Sequence, residues 1–298
     1  MDKFKFFDIY SLDKLKLCYY QPSSLFSDIV KANGRTLKKQ GFSLYVPAID
    51  TDKKKGNKTP NSLDIQIYLQ SDTEPDKIQK FGTLKLHSTT SDYEGFCFLT
   101  IENRCLYQSN YIKHAQHIAQ TLGLTFSHIT CLDIAMDCNV NLISRVRNLV
   151  KHHEEQGLEM IFNNKKVKDT AQILKGWREI YSRTCKRLIN NPSLYLGPVD
   201  EEAPSMVIYD KSREIQESGK DYIAKHCNFG KRKIYRAEIR LKRKALKAYF
   251  KERPLKGLEE LQDQATLNDI WQTFTHRILH FTNKRTRQQL DLIDILKT

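Results

Sequence analysis

Three short segments of this chain place charged or nucleophilic side chains at alternate positions of apolar runs: Cys131-Leu-Asp133-Ile-Ala-Met-Asp137, Met206-Val-Ile-Tyr209-Asp-Lys211 and Tyr235-Arg236-Ala-Glu238-Ile-Arg240-Leu241. Side chains alternate across a strand with a period of two. Leu132, Ile134 and Met136 are therefore expected to face a core, with Asp133 and Asp137 on the opposite side. In the third segment Tyr235, Ala237, Ile239 and Leu241 form the core face and leave Arg236, Glu238 and Arg240 together on the other. If the three strands are neighbours in one sheet, that face offers carboxylates, a tyrosine with a lysine two residues on, and two arginines. Such a set suits phosphodiester chemistry.

A tyrosine phenolate is a competent nucleophile on phosphorus, and a phosphotyrosine diester keeps the energy of the broken bond because the phenol remains a good leaving group. Cleavage by Tyr209 would thus be reversible. Asp133 and Glu238, with Glu214 five residues after Tyr209, are hard oxygen donors that favour Mg²⁺ or Mn²⁺ over zinc, and a bound cation would polarise the scissile phosphate. Lys211, expected on the same strand face as Tyr209, would lower the phenol pKa or contact the phosphate, and Arg236 and Arg240 could clamp neighbouring phosphates. Each segment alone has a plainer reading: a strand end at the surface, a salt-bridge ladder, a carboxylate bonded to backbone amides. Their joint appearance favours the chemical one.

The elements that must carry these residues belong to a chain of 298 residues, 40% hydrophobic, with a formal charge of +14. The charge is concentrated: residues 161–190 hold eight basic and two acidic side chains, and residues 231–256 twelve and two. Basic patches beside a candidate site are the footprint of a polyanion partner. Seven cysteines without a CxxC pair point to reduced thiols. No signal-peptide run and no membrane-length apolar stretch is present, so a cytoplasmic protein without a membrane partner is expected.

Strand patterns fall at Leu15–Tyr20, Phe42–Val46, Leu63–Leu69, Thr83–His87 and Gly95–Ile101, with an exposed lysine-rich loop over Thr51–Asn61. Helices are expected at about Asn110–Leu122, with Ser109 as cap and Gly123 beyond its end, at Leu142–Gln156 and at Thr170–Leu188. A short strand at Ser193–Gly197 precedes the tyrosine strand, and a helix or loop around Arg213–Lys225 precedes the third. The pattern is helical after Leu241, is interrupted at Pro254, and resumes around Leu267–Phe281. The fold class is therefore α+β, with an antiparallel-rich central sheet carrying the active site on one face and flanked by basic helices. Residues 1–252 are expected to form the main domain, with 128–250 its diagnostic part, and 253–298 a helical C-terminal region.

The succession of the Asp133 strand, Ser193-Leu-Tyr195-Leu-Gly197, Ile208-Tyr209-Asp-Lys211-Ser-Arg-Glu214 and Arg236-Ala-Glu238-Ile-Arg240-Leu-Lys242 resembles the Rep_trans family of rolling-circle replication initiators. It is similar also to filamentous-phage initiators and to relaxases of integrative elements. The resemblance implies Tyr209 as nucleophile and Asp133, Glu238 and Glu214 as a metal set. It implies a replication origin as DNA partner, nicked in a single-stranded or hairpin segment, a host helicase and polymerase acting afterwards, and a homodimer by resemblance alone. Cys131 stands where relatives often have arginine, and Pro198-Val199 where many have Ser-Arg.

Other enzyme classes fit less well. No His-hydrophobe-His pair, recombinase His-x-x-Arg box or phosphate-binding Gly-rich loop is present. His114 and His117 share a helix face that suits zinc but lack a third ligand, so ordinary surface histidines are expected. Two alternatives stay open: a relaxase for conjugative transfer, and a non-enzymatic origin-binding or copy-control protein.

Overall fold

The computed structural model describes residues 6–49, 60–70, 78–167, 193–197 and 202–297. Its strands are β1 (Phe6–Tyr20), β2 (Thr36–Lys39), β3 (Phe42–Tyr45), β4 (Ser62–Gln70), β5 (Ile78–His87), β6 (Phe96–Ile101) and β7 (Thr125–Cys138), then β8 (Leu158–Phe162), β9 (Lys165–Lys166), β10 (Leu194–Leu196), β11 (Ser205–Asp210), β12 (Tyr235–Lys242), β13 (Leu279–Asn283) and β14 (Gln289–Asp291). Its helices are α1 (Leu25–Lys31), α2 (Asn103–Leu106), α3 (Tyr111–Thr121), α4 (Leu142–His152), α5 (Lys211–Ser218), α6 (Asp221–Cys227), α7 (Arg243–Glu252), α8 (Gln264–Ile278) and α9 (Leu292–Lys297). Ten strands pair in the order β10-β11-β12-β7-β1-β6-β5-β4-β3-β2, and a second sheet has the order β14-β13-β8-β9. The fold is α+β with a large antiparallel-rich sheet, as the sequence pattern implies.

The chain divides into two compact units, residues 14–132 and residues 1–13 with 133–298. In the first, β6-β5-β4-β3-β2 pack against α3, which buries Tyr111, Ile112, Ala115, Ile118 and Ala119 on one stripe. His117 Nε2 lies 2.8 Å from the Gln40 carbonyl, and His114 meets Phe81 edge-on. A Cβ on Gly82 would lie 2.3 Å from the Thr100 carbonyl oxygen, so only glycine lets β5 approach β6 there.

The other unit holds all but the first two residues, Cys131 and Leu132, of the three diagnostic segments, together with the C-terminal region from residue 253. On one sheet face α8 contributes Trp271 and Phe274, both fully buried, and α4 packs against β11 and β12. The Gln264 side chain accepts from Tyr10 N and donates to Tyr10 O, each at 2.8 Å, fixing the start of α8 to β1.

Several expectations shift. Strand β1 begins at Phe6, well before Leu15, and β2 and the second sheet had no counterpart in the sequence reading. Strand β2 and the strands of the second sheet are each five residues or fewer, too short for a period of two to stand out. Helix α4 ends at His152, and the pattern read as helix through Phe281 turns into β13 after Ile278. The segment around Arg213–Lys225 is two helices, α5 and α6, broken at Gly219 with its left-handed φ of 66°. The basic helix expected at Thr170–Leu188 and most of the 51–61 loop lie outside the described residues. The cysteines among the described residues are free thiols, and no helix among those residues is long and apolar enough to cross a membrane.

Candidate active site

Residues directly opposite one another in an antiparallel pair share a face. The register of β11 and β12 sets Tyr209 against Arg236, Val207 against Glu238 and Ser205 against Arg240, so Tyr209 and the three charged residues of β12 point the same way. Strand β7, next to β12, supplies Asp133 and Asp137, and β1, next to β7, supplies Asp13. The alternation predicted this shared face. It did not predict that α5 and α6 would bury it.

Strand β11 turns directly into α5. The Asp210 side chain accepts from Arg213 N and caps the helix, while Lys211 N and Ser212 N donate to the Ile234 carbonyl at 2.9 and 3.2 Å. Lys211 is therefore the first residue of a helix and not, as expected, a strand residue beside Tyr209. Its ammonium nevertheless returns to the tyrosine. Lys211 Nζ donates to Tyr209 Oη at 3.1 Å and to Glu214 Oε2 at 2.8 Å, and lies 4.0 Å from Asp13 Oδ1.

Tyr209 Oη in turn donates to Glu238 Oε2 at 3.0 Å. Burial, and then the Glu238 carboxylate, push the phenol pKa well above its usual value near 10. Burial, and then the neighbouring Arg236, pull the Lys211 ammonium down, against the opposing pull of Asp13 and Glu214. Burial of Glu214 favours its neutral form, but the Lys211 and Lys220 pairs outweigh this and hold its pKa below the ordinary value.

Arg236 is 0% exposed. Its Nε and Nη2 donate to the two oxygens of Asp137 at 2.7 and 2.6 Å, and its Nη1 donates to Asp13. This changes the role expected of it: a guanidinium so committed holds the β1, β7 and β12 strands in register and is turned away from any phosphate in solution. Removing one partner of such a buried pair costs about 3–5 kcal/mol. Arg240 differs. Its side chain is 43% exposed, and Nε donates to Glu238 Oε1 at 2.7 Å, so it carries positive charge from the tyrosine's own carboxylate partner out to solvent.

The three carboxylates expected to hold a metal do not form a cage. Both oxygens of Glu214 accept from lysines, Lys211 and Lys220, and those of Glu238 accept from Tyr209 and Arg240. Asp133 is buried near enough to Arg240 to help raise the guanidinium pKa. Among the described residues no group of three or more His, Cys, Asp or Glu side chains is arranged to hold a metal ion. As arranged, this donor set does not fit Mg²⁺ or Mn²⁺: the oxygens of Glu214 and Glu238 are already met by ammonium, guanidinium and phenol donors.

Asp13 and Lys220 were missed by the sequence reading. Asp13 precedes the first strand pattern, which was read from Leu15, and Lys220 reads as one more surface lysine. Asp137 and Asp210, whose roles were open, bind Arg236 and cap α5.

Beside the junction of β11 and α5 lies a groove of about 740 Å³ lined by Arg147, Arg213, Lys231, Arg232 and Lys233, with Asp210 as its acidic member. Arg147, Lys231, Arg232 and Lys233 are exposed.

Neither a protein-family model nor a curated protein matches the chain. Among solved structures the chain is loosely similar to a rolling-circle replication initiator protein from Geobacillus stearothermophilus, with a TM-score of 0.42 and 10% identity over 94% of this chain and 89% of that one. At such values nothing about activity passes from that protein to this chain by similarity alone.

Proposed function

We propose that this protein nicks and rejoins DNA by tyrosine transesterification, as an initiator of rolling-circle replication on a plasmid or phage. The observation that carries the reading is the placement of Tyr209 Oη between a carboxylate that can take its proton, Glu238 Oε2 at 3.0 Å, and an ammonium that can stabilise the resulting charge, Lys211 Nζ at 3.1 Å. A phenol with a raised pKa is a poor nucleophile until a base removes its proton. As the Tyr209 Oη to phosphorus bond forms, the phenol proton passes to Glu238 and the phosphorus to 3′-oxygen bond breaks. The products are a 5′-phosphotyrosine and, after that oxygen takes a proton, a free 3′-hydroxyl that a host polymerase extends behind a host helicase. Reversal of the same step reseals the strand. No step uses a divalent cation.

Arg240 is the cation best exposed to meet the phosphate beside the tyrosine. The basic groove offers contacts to further phosphates of the origin, which position the strand without reading its sequence. Relaxase work in conjugative transfer would use the same step, and a cytoplasmic setting belongs to the same proposal.

The test is to incubate the protein with labelled single-stranded DNA tiled from its own genetic element and to look for a denaturant-resistant adduct. An adduct that disappears in Tyr209→Phe while DNA binding persists supports the reading. Salt-sensitive binding with no adduct on any tile would instead mark a non-enzymatic DNA-binding protein.

A further inference from the structure

We infer that Lys211 is a built-in cation of this site, its ammonium holding the position between Tyr209, Glu214 and Asp13 that a divalent metal would otherwise take. The inference deepens the nicking reading and rests on it for the chemical step alone.

Fully buried lysines are rare unless paired, yet Lys211 is 0% exposed and ranks among the largest completely buried side chains. It faces three oxygens of the kinds that bind hard cations: the Tyr209 phenol, Glu214 Oε2 and, at 4.0 Å, Asp13 Oδ1. A metal ion bound to these oxygens would occupy the ammonium's own volume. The lysine is also fixed in place. As the first residue of α5 its backbone N–H is tied to the Ile234 carbonyl at 2.9 Å, and Glu214 lies one turn along the same helix.

Charge balance agrees. Around the tyrosine, Asp13, Asp133, Asp137, Glu214 and Glu238 are set against Lys211, Lys220, Arg236 and Arg240, which leaves a single carboxylate charge in excess. Without Lys211 the excess doubles, and it does so at the tyrosine oxygen. A preorganised donor aimed where charge develops is the device that a bound metal would replace.

Two kinds of measurement test this on the full chain, stripped with EDTA. In the first, Mn²⁺ is titrated and followed by electron paramagnetic resonance and thermal unfolding. The wild-type protein is expected to bind no stoichiometric Mn²⁺ and to keep its unfolding midpoint, whereas Lys211→Ala gains one Mn²⁺ and its midpoint rises. In the second, adduct formation is compared in EDTA and in Mg²⁺. The wild type is expected to show no loss in EDTA, and Lys211→Ala to lose about 10²–10³-fold, as for a deleted charge-stabilising donor, with Mn²⁺ restoring it. A lysine that only props α5 would give neither the new metal binding nor the rescue.

Stoichiometric Mn²⁺ on the wild type, EDTA abolishing its adduct, or a folded Lys211→Ala that gains no metal would each overturn the inference. If Lys211→Ala does not fold, the wild-type titrations decide alone. If no adduct forms under any condition, the nicking reading fails while the Mn²⁺ titrations still decide the place of the cation.

Discussion

Tyr209 is held as a neutral phenol. Its raised pKa keeps it protonated through neutral and mildly alkaline pH, so the nicking step proposed above would depend on Glu238 as the acceptor of its proton. Glu238→Gln keeps the shape and loses the base, and general-base removal typically costs about 10²–10⁴-fold in rate. The sign of the pH response follows. The variant can react only through phenol already ionised, so its adduct rate climbs with pH and the deficit narrows as pH rises towards the phenol pKa; the wild type changes less over the same range. Parallel pH profiles for adduct formation would remove Glu238 from this role. That Tyr209, Glu238 and Arg240 share one face was legible from alternation, because period two fixes which face a side chain takes. What covers the face is not written in that period. Hence Arg236, read as a phosphate clamp, is in fact 0% exposed and bound to Asp137 and Asp13, and Asp13 itself lay ahead of the first strand pattern.

At the scale of elements, the junction of β11 and α5 is what brings an ammonium back onto the tyrosine. Read as one strand, Tyr-Asp-Lys puts Lys211 on the tyrosine's face by alternation; in the fold it arrives there by helix geometry, after Asp210 stops the strand and caps the helix. The sequence reading reached the right neighbour through the wrong element. The signal that distinguishes the two is Asp210, a residue type that caps helices, with Glu214 in the first turn after it, overlaid on strand-forming Val207, Ile208 and Tyr209. Asp210→Ala removes that cap and the Lys233 pairing at 3.4 Å, and is expected to lower stability by about 0.5–2 kcal/mol. Because α5 carries both Lys211 and Glu214, the same change should also slow adduct formation, whereas Asp210→Asn, which can still cap, should keep most of both properties. Denaturant unfolding and adduct kinetics on the two variants check this. Equal loss in the two would mean that charge, not the cap, matters at this position.

Across the molecule, the concentration of positive charge was plain in the sequence, but which part of it would meet DNA under the proposed function was not. Residues 231–256 contain two different surfaces. One is the outer side of α7, where Arg243, Lys244, Lys247 and Lys251 are exposed on a helix whose other side buries Ala245, Leu246 and Tyr249. The other is the groove, where Lys231, Arg232 and Lys233 join Arg147 and Arg213 from distant parts of the chain. A composition window cannot find such a convergence, since α4 and α5 supply part of it. Field lines focus in a concave, predominantly basic cleft more than over a convex helix face, so the groove, with five basic side chains set against Asp210, is expected to bind phosphate first. Each phosphate that the protein no longer neutralises should lower the steepness of log affinity against log salt by about 0.7 for single strands or 0.9 for duplex. Lys231→Ala with Lys233→Ala is therefore expected to flatten the salt dependence of origin binding by roughly two such steps, and Lys244→Ala with Lys247→Ala to change it little. The comparison is made by binding titrations across a salt series. Flattening by the α7 pair alone would move the duplex onto that helix and leave the groove an ordinary solvated cleft.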